Sequence, residues 1–480
     1  MPHLEGINRN QTLQFPPRLD DYISAENPVR FLDVFVDQLD LKAMGFSRVE
    51  AAVEGRPAYR PGDLLKLYLY GYLNRVRSSR CLERESQRNV EVMWLLKGLT
   101  PDHKTIADFR KVHPQSLKQV FREFIELCKS LELFSGEIVA IDGSKFLAVN
   151  SAQRNYSEKK LEKALKEIDE KLQRYLQALD ANDAANPVPP DLTPEQLQGR
   201  IEVLKERQTK YQQIQTQLVE SGETQISLTD PDSRSMKMGQ GTDIAYNVQI
   251  AVDGKYKLIA VAEVTNQVTD QAQLSSMATQ SKATLEVESL TVVADRGYYD
   301  GEEVKQCLDA GITPNIAKPI TSVNQKRGLY TKQDFRYDPE RDVYHCPGGQ
   351  ELEFRFDAVE LGRHIRYYRT AACKNCPLKD KCTTNRDGRR ITRWVDEHLL
   401  EEMGQRLKAH PEYRIERSSL VEHPFGTLKR GMNQGYFLLK GLEKVKGEFS
   451  MSALAYNLKR VFNIVGVEKL ISAITLKAIA

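Results

Sequence analysis

The chain has 480 residues, of which 40% are hydrophobic and 28% charged, enough for two or more domains with sizeable cores and too polar for a membrane protein. Sixty-nine Lys and Arg against 66 Asp and Glu leave a formal charge of +3, which by itself does not argue for nucleic acid. The distribution is more telling, with five Arg between Arg75 and Arg88 and six Lys or Arg between Lys379 and Arg393.

No membrane span is expected, because the best apolar run near the start, Leu64 to Leu73, is broken by Lys66 and is about half the length a bilayer requires. The opening residues lack the basic-then-apolar pattern of a secretory leader. Seven cysteines, an odd number, argue against a disulfide framework and for a reducing, cytoplasmic location.

Residues 1–132 read as an all-α N-terminal DNA-binding domain. Pro61 opens a helix, Ser78 or Ser79 caps another that runs to Gly98, and a later helix carries Leu117, Phe121, Phe124 and Cys128 on one stripe. Arg77, Arg80, Arg84 and Arg88, spaced by three or four, form an arginine stripe that suits a DNA backbone; an ordinary solvated face paired to Glu83 and Glu85 is the competing reading.

Residues 133–154 begin an α/β core. Here EIVAIDGSKF is an apolar, β-branched run that delivers Asp142 at a strand tip. Residues 155–222 interrupt it with an antiparallel helical hairpin whose seam is Leu161, Leu165, Ile168, Leu172, Tyr175 and Leu179, with Thr193 capping and Pro194 opening the return helix.

Residues 223–322 resume the core. A hairpin turns at Asp253-Gly254, a helix covers QVTDQAQLSSMATQSK, a strand ends in Asp295, and a helix and a last strand follow. The order resembles an RNase H-like fold, a mixed five-stranded sheet with flanking helices. Residues 396–480 supply its C-terminal helices. There Tyr413, Arg417 and Glu422 fall roughly one turn apart, and Lys429 lies two turns beyond Glu422 on nearly the same face.

Asp142, Asp295 and Glu422 come from distant positions, yet this layout predicts that they meet. Three hard carboxylates suit two Mg²⁺ or Mn²⁺ ions, which activate an attacking hydroxyl and stabilise the leaving oxygen of a phosphodiester. Singly, each acid is better read as a turn or helix-entry residue; together, on these elements, they point to catalysis.

Asp142 in VAIDGSKF, Asp295 in VVADRGYYD and Glu422 in VEHPFGTLKR, with YRPGDLLKLYLYGYL and TPDHKTIADFRK before them, make the chain resemble bacterial insertion-sequence transposases of the DDE type. The resemblance covers almost the whole length. It includes a Tyr-Arg-Glu-Lys pattern at Tyr413, Arg417, Glu422 and Lys429, although the Arg stands five residues before the Glu instead of the usual four.

The resemblance implies cleavage at the ends of a mobile element and transfer of its 3′ ends to target DNA. Its partners would be double-stranded DNA, as terminal inverted repeats and target, and a second copy of the chain when assembled on DNA. Arg296 and Tyr298, directly after the second acid, are candidate DNA contacts. A catalytically silent DNA-binding descendant and a nuclease without strand transfer are the competing functions.

Residues 323–395 form a Cys-rich insertion with Cys346, then 26 residues, Cys373, two residues, Cys376, five residues, and Cys382. Four thiolates close a tetrahedral site and would staple a loop-rich insert with little core of its own. The spacing admits zinc or a 4Fe–4S cluster.

Overall fold

The structure, a computed structural model, describes residues 18–50, 57–150, 154–183, 194–239, 241–319 and 323–479. The chain opens with α1 (Pro28–Asp37), where Asn27 accepts from Val29 N and Pro28 supplies a preset φ at the first helical position. Helix α2 (Pro61–Leu73) starts at Pro61 as the sequence predicts, and it is buried on every side. The single helix expected from Ser78 to Gly98 is two, α3 (Ser79–Arg88) and α4 (Val90–Leu95). Asn89 makes the break. Its backbone is extended, and its side chain accepts from Glu91 N and Val92 N, so α4 begins with its own cap.

Asp102 caps α5 (His103–Val112), and α6 (Pro114–Ser130) buries the predicted stripe of Leu117, Phe121, Phe124 and Cys128. Strand β1 (Ile138–Leu147) follows. The short pair β2 (Asn155–Ser157) and, later, β3 (Gln225–Ser227) closes the base of a helical hairpin, α7 (Glu158–Asp183) and α8 (Pro194–Ser221). Leu161, Ile168 and Leu172 bury against Ile201, Ile214 and Leu218. The Leu179 side chain, the turn at 184–193 and its capping Thr193 lie outside the described residues.

Strands β4 (Arg234–Met238), β5 (Gly241–Asp253) and β6 (Ile259–Thr265), helix α9 (Leu274–Leu285), strand β7 (Leu290–Ala294), helix α10 (Gly301–Asp309) and strand β8 (Ile312–Ile316) complete the central layer. The sheet is mixed. Its order is β4-β5-β1-β7-β8, with β6 also on β5; β1–β7 and β7–β8 are parallel and the other pairs antiparallel. It has six strands, one more than expected, because Arg234–Met238 extends the edge beside the first half of β5.

The insertion is more ordered than a loop-rich reading allows. Around the single-turn helices α11 (Val323–Lys326) and α12 (Lys379–Cys382), five strands form an antiparallel sheet: β9 (Arg336–Asp338), β10 (Val343–His345), β11 (Glu351–Glu360), β12 (Arg363–Arg369) and β13 (Arg390–Trp394). Phe335, Tyr344, Leu352, Tyr368 and Ile391 give it a core of its own. The many Arg and Glu on its outer face obscure the alternation in the sequence.

Four helices end the chain: α13 (Glu397–Ala409), α14 (Glu412–Gly426), α15 (Leu442–Val465) and α16 (Val467–Ile479). Helix α15 is buried almost throughout, and one hydrophobic cluster runs from α1, α2, α5 and α6 through α15 into β5 and β6. The N-terminal helices are therefore welded to the sheet. At the weld Glu448 is fully buried, accepts from Leu438 N and Leu439 N, and lies 3.6 Å from Arg77 and 3.7 Å from Arg110. Among the described residues no helix is long and apolar enough to cross a membrane.

Candidate active site

The site begins with strand register. Parallel pairing of β1 with β7 ends at Ile141 opposite Ala294. The next residue on each strand is Asp142 and Asp295, so two carboxylates leave neighbouring backbones about 4.8 Å apart. Asp142 is not at a strand tip, as the sequence suggests, because β1 continues to Leu147 along β5. It stands instead where its parallel neighbour stops.

Beyond Ala294 the chain turns out of the sheet. Asp295 caps a 3-10 turn, Arg296–Tyr298, by accepting from Gly297 N at 2.7 Å. Asp142 accepts from Gly143 N at 2.9 Å.

Burial is the main reason that the Asp142 carboxyl is pushed up to about 6. The negative charges of Asp295 and Asp270 push the same way, and Arg417 and the Gly143 N–H oppose them. A carboxyl desolvated beside other carboxylates is short of positive charge. Here the cation that relieves it is a guanidinium.

Arg417 comes from α14, which packs against β1, β5 and β7. A cleft of about 520 Å³ separates that helix from the end of β7, and Asp295, Arg296, Asn315, Tyr413, Arg414, Arg417 and Ser418 line it. Asn315 is buried, and its Oδ1 has no hydrogen-bond partner. Glu422 lies one turn beyond Ser418 and accepts from its Oγ at 2.5 Å; it is exposed. The structure thus brings Asp142 and Asp295 side by side and places Glu422 on the facing helix, in the row of Arg414 and Ser418.

Lys429 does not continue that row. Pro424 sits inside α14, and the chain passes at once into a π turn, Thr427–Gly431, which changes the helical phase. Its ammonium points instead to β1, donating to Ser144 Oγ at 2.6 Å and to the Lys145 carbonyl at 2.8 Å. Burial pushes it below its ordinary value, Lys145 adds to that, and Asp142 opposes.

Two expected DNA contacts are corrected by burial. Arg77 is 5% exposed, donates to the carbonyls of Tyr436 and Asn433, and stacks on the Tyr436 ring. Tyr298 is fully buried, with its hydroxyl on Gln249. Both serve the fold. Arg80, Arg84 and Arg88 do present an exposed face on α3, with Arg88 paired to Glu85, and Arg296 is exposed.

Sequence reading misses Asp270. The pattern there extends the helix over it, but α9 starts only at Leu274, and Asp270 lies in the preceding loop within hydrogen-bond reach of Lys145, Asn247 and Gln249. Two buried amides on adjacent inward positions of β5 are the signal that a charged partner is required.

In the insertion the four thiols are gathered. A methyl on Gly348 would lie 3.6 Å from both Cys346 Sγ and Cys376 Sγ, and Cys382 feels the other three. His345 turns to Asp338 and Glu351. Among the described residues, however, no three His, Cys, Asp or Glu side chains are arranged to hold a metal ion, either here or at the acids.

Comparison with known families places two stretches. Residues 345–462 match the family model "Transposase DDE domain", and residues 17–112 match "Transposase domain (DUF772)". The two matches support a DDE-type transposase.

Among solved structures, the chain is similar to a piggyBac transposase synaptic complex with hairpin DNA, at 9% identity and a TM-score of 0.34, over 95% of this chain and 80% of that one. A comparison with curated proteins gives no match. Glu422 and the four cysteines fall within the matched DDE region of the transposase, while Asp142 and Asp295 precede it.

Proposed function

We propose that this transposase cuts the ends of an insertion sequence and joins the freed 3′ ends to target DNA, with Asp142, Asp295 and Glu422 holding two divalent ions on an RNase H-like core. The observation that carries the reading is the pairing of Asp142 with Asp295 at the end of the β1–β7 register, with Asp142 lifted to about 6 mainly by burial and further by the neighbouring carboxylates.

The donor set fits Mg²⁺ or Mn²⁺. Hard carboxylates are present, burial lifts one of them to about 6, and the buried Asn315 Oδ1 in the same cleft has no protein hydrogen-bond partner. When bound, paired ions would activate the attacking hydroxyl and stabilise the leaving oxygen.

The chain's own groups do the positioning. Arg417 and its neighbour Arg414 line the cleft with Asp295 and would face a phosphate bound there. The exposed arginines of α3 contribute sequence-independent attraction to the DNA backbone. Two element ends must be processed together, so the active form is a dimer on DNA, working in the bacterial cytoplasm.

By donor chemistry the four cysteines would suit zinc or an iron–sulfur cluster. The deciding experiment offers a DNA end from the source element with Mg²⁺ to the wild type and to Asp142→Asn. End-specific nicking followed by joined products from the wild type alone is expected. Equal nicking by both removes Asp142 from the active site, and nicking without joined products leaves a nuclease.

A further inference from the structure

Behind the acidic pair lies a chain of polar contacts. Asp270, in the loop before α9, accepts at one oxygen from Lys145 Nζ at 3.1 Å, Asn247 Nδ2 at 2.7 Å and Gln249 Nε2 at 2.8 Å. Lys145 is on β1, three residues beyond Asp142. Asn247 and Gln249 are fully buried on β5, opposite Lys145 and Gly143. Gln249 then accepts from the buried Tyr298 hydroxyl. Tyr298 closes the 3-10 turn whose first residue is capped by Asp295.

Two strands and two loops therefore converge on one carboxylate. Gly143 shows how closely: a methyl there would collide with Gln249 Nε2 and come within 2.7 Å of Asp270 Oδ1. The turn bearing Asp295 is otherwise held by its own short hydrogen bonds. Pairing of β7 with β1 sets the Asp295 backbone beside Asp142, and the Tyr298 hydroxyl adds the contact that ties the turn after it to β5.

We propose that Asp270 is a positioning residue that, through Gln249 and Tyr298, clamps the Asp295 turn against the Asp142 strand and so sets the spacing of the two acids for a divalent ion. The inference rests on the reading of Asp142 and Asp295 as the cation-holding pair. Lys145 has a second part in it. By neutralising Asp270 it keeps a third negative charge from spreading the pair, and partners at this remove from a metal ligand are worth roughly ten- to a hundredfold in metal affinity.

The test is Mn²⁺ binding by the full-length chain without DNA, read from the electron paramagnetic resonance of the free ion, with a thermal melt of each variant. Mn²⁺ favours carboxylates over thiols, which separates this site from the cysteines. Asp142→Asn is expected to abolish binding, and Asp270→Asn to weaken it roughly ten- to a hundredfold. Tyr298→Phe, which deletes one hydroxyl, is expected to weaken it in the same direction. The double variant Asp270→Asn/Tyr298→Phe is expected to bind no worse than the weaker single, because both act through Gln249.

Unchanged affinity in Asp142→Asn would overturn the acidic pair and the clamp with it. Loss in Asp142→Asn with wild-type affinity in Asp270→Asn and Tyr298→Phe would overturn the clamp alone, as would losses that add fully in the double variant. Should Asp270→Asn fail to fold, Tyr298→Phe decides, and wild-type affinity there overturns the proposal.

Discussion

Asp142→Asn removes activity in the proposed mechanism, and the same structure says that it strengthens the fold. Asp142 is largely desolvated, and its carboxyl is pushed from an ordinary 3.8 to about 6. At 1.36 kcal/mol for each decade of proton affinity, holding it ionised in the folded chain costs about 3 kcal/mol. Because the folded value is the higher one, the Asp142 contribution to stability is fully present below pH 4 and is lost as pH rises through about 6. The amide keeps the shape and the acceptor for Gly143 N, yet carries no charge to repel Asp295.

In chelator, at pH 7.5, the variant should therefore unfold in urea at a higher midpoint than the wild type, by up to about 3 kcal/mol, and the difference should vanish at pH 4. Excess Mg²⁺ should reverse the order, since only the wild type gains from binding it. A variant that is weaker at pH 7.5 in chelator, or an advantage that persists unchanged at pH 4, would refute the claim that Asp142 is a charge held at a cost.

Other perturbations separate function from fold. Glu422→Gln should stop cleavage and leave the melting temperature unchanged, because the carboxylate is exposed and, among the described residues, bonded to Ser418 on its own helix alone; an active variant would remove it from the acids. Replacing Arg80, Arg84 and Arg88 with Ala should lower the slope of log affinity against log salt by up to about 0.9 for each phosphate these arginines neutralise, with the fold intact, as read by DNA binding at several salt concentrations. Arg77→Ala should instead destabilise by on the order of 3 kcal/mol, seen in denaturant melts, since it strips a partner from the fully buried Glu448. Cys376→Ser should lose the metal that the purified wild type is expected to carry at the four thiols, measured by elemental analysis, and lower the melting temperature of the insertion.

What the sequence discloses follows from which interactions are local. Helix entries at Pro61 and Pro114, the Asp102 cap and the stripe on α6 are set within one or two turns, and the stripe and the Pro61 entry are legible for that reason. Asp142 and Asp295 stand out because an apolar run that ends in a charge is anomalous within a few residues. Asn89 is a local signal that is easily passed over: flanked by a periodic pattern on both sides, it looks like helix interior, yet its side chain competes for the backbone and splits α3 from α4.

The features that stay hidden are those whose cause lies far along the chain. Nothing near Asp270 explains it. Its partners are 125, 23 and 21 residues away, and they become neighbours only when β1 and β5 pair in register. The same holds for Arg77, an exposed-looking arginine in a basic run, whose partners at Asn433, Tyr436 and Glu448 arrive with the C-terminal helices. A charged residue's role is fixed by what desolvates it, and desolvation is a property of the finished fold. For that reason the buried members of a basic run and the loop carboxylate behind the acidic pair are where tertiary structure changes the functional reading most, turning Arg77 from an expected DNA contact into a weld and Asp270 from a helix residue into the proposed anchor of the acidic pair.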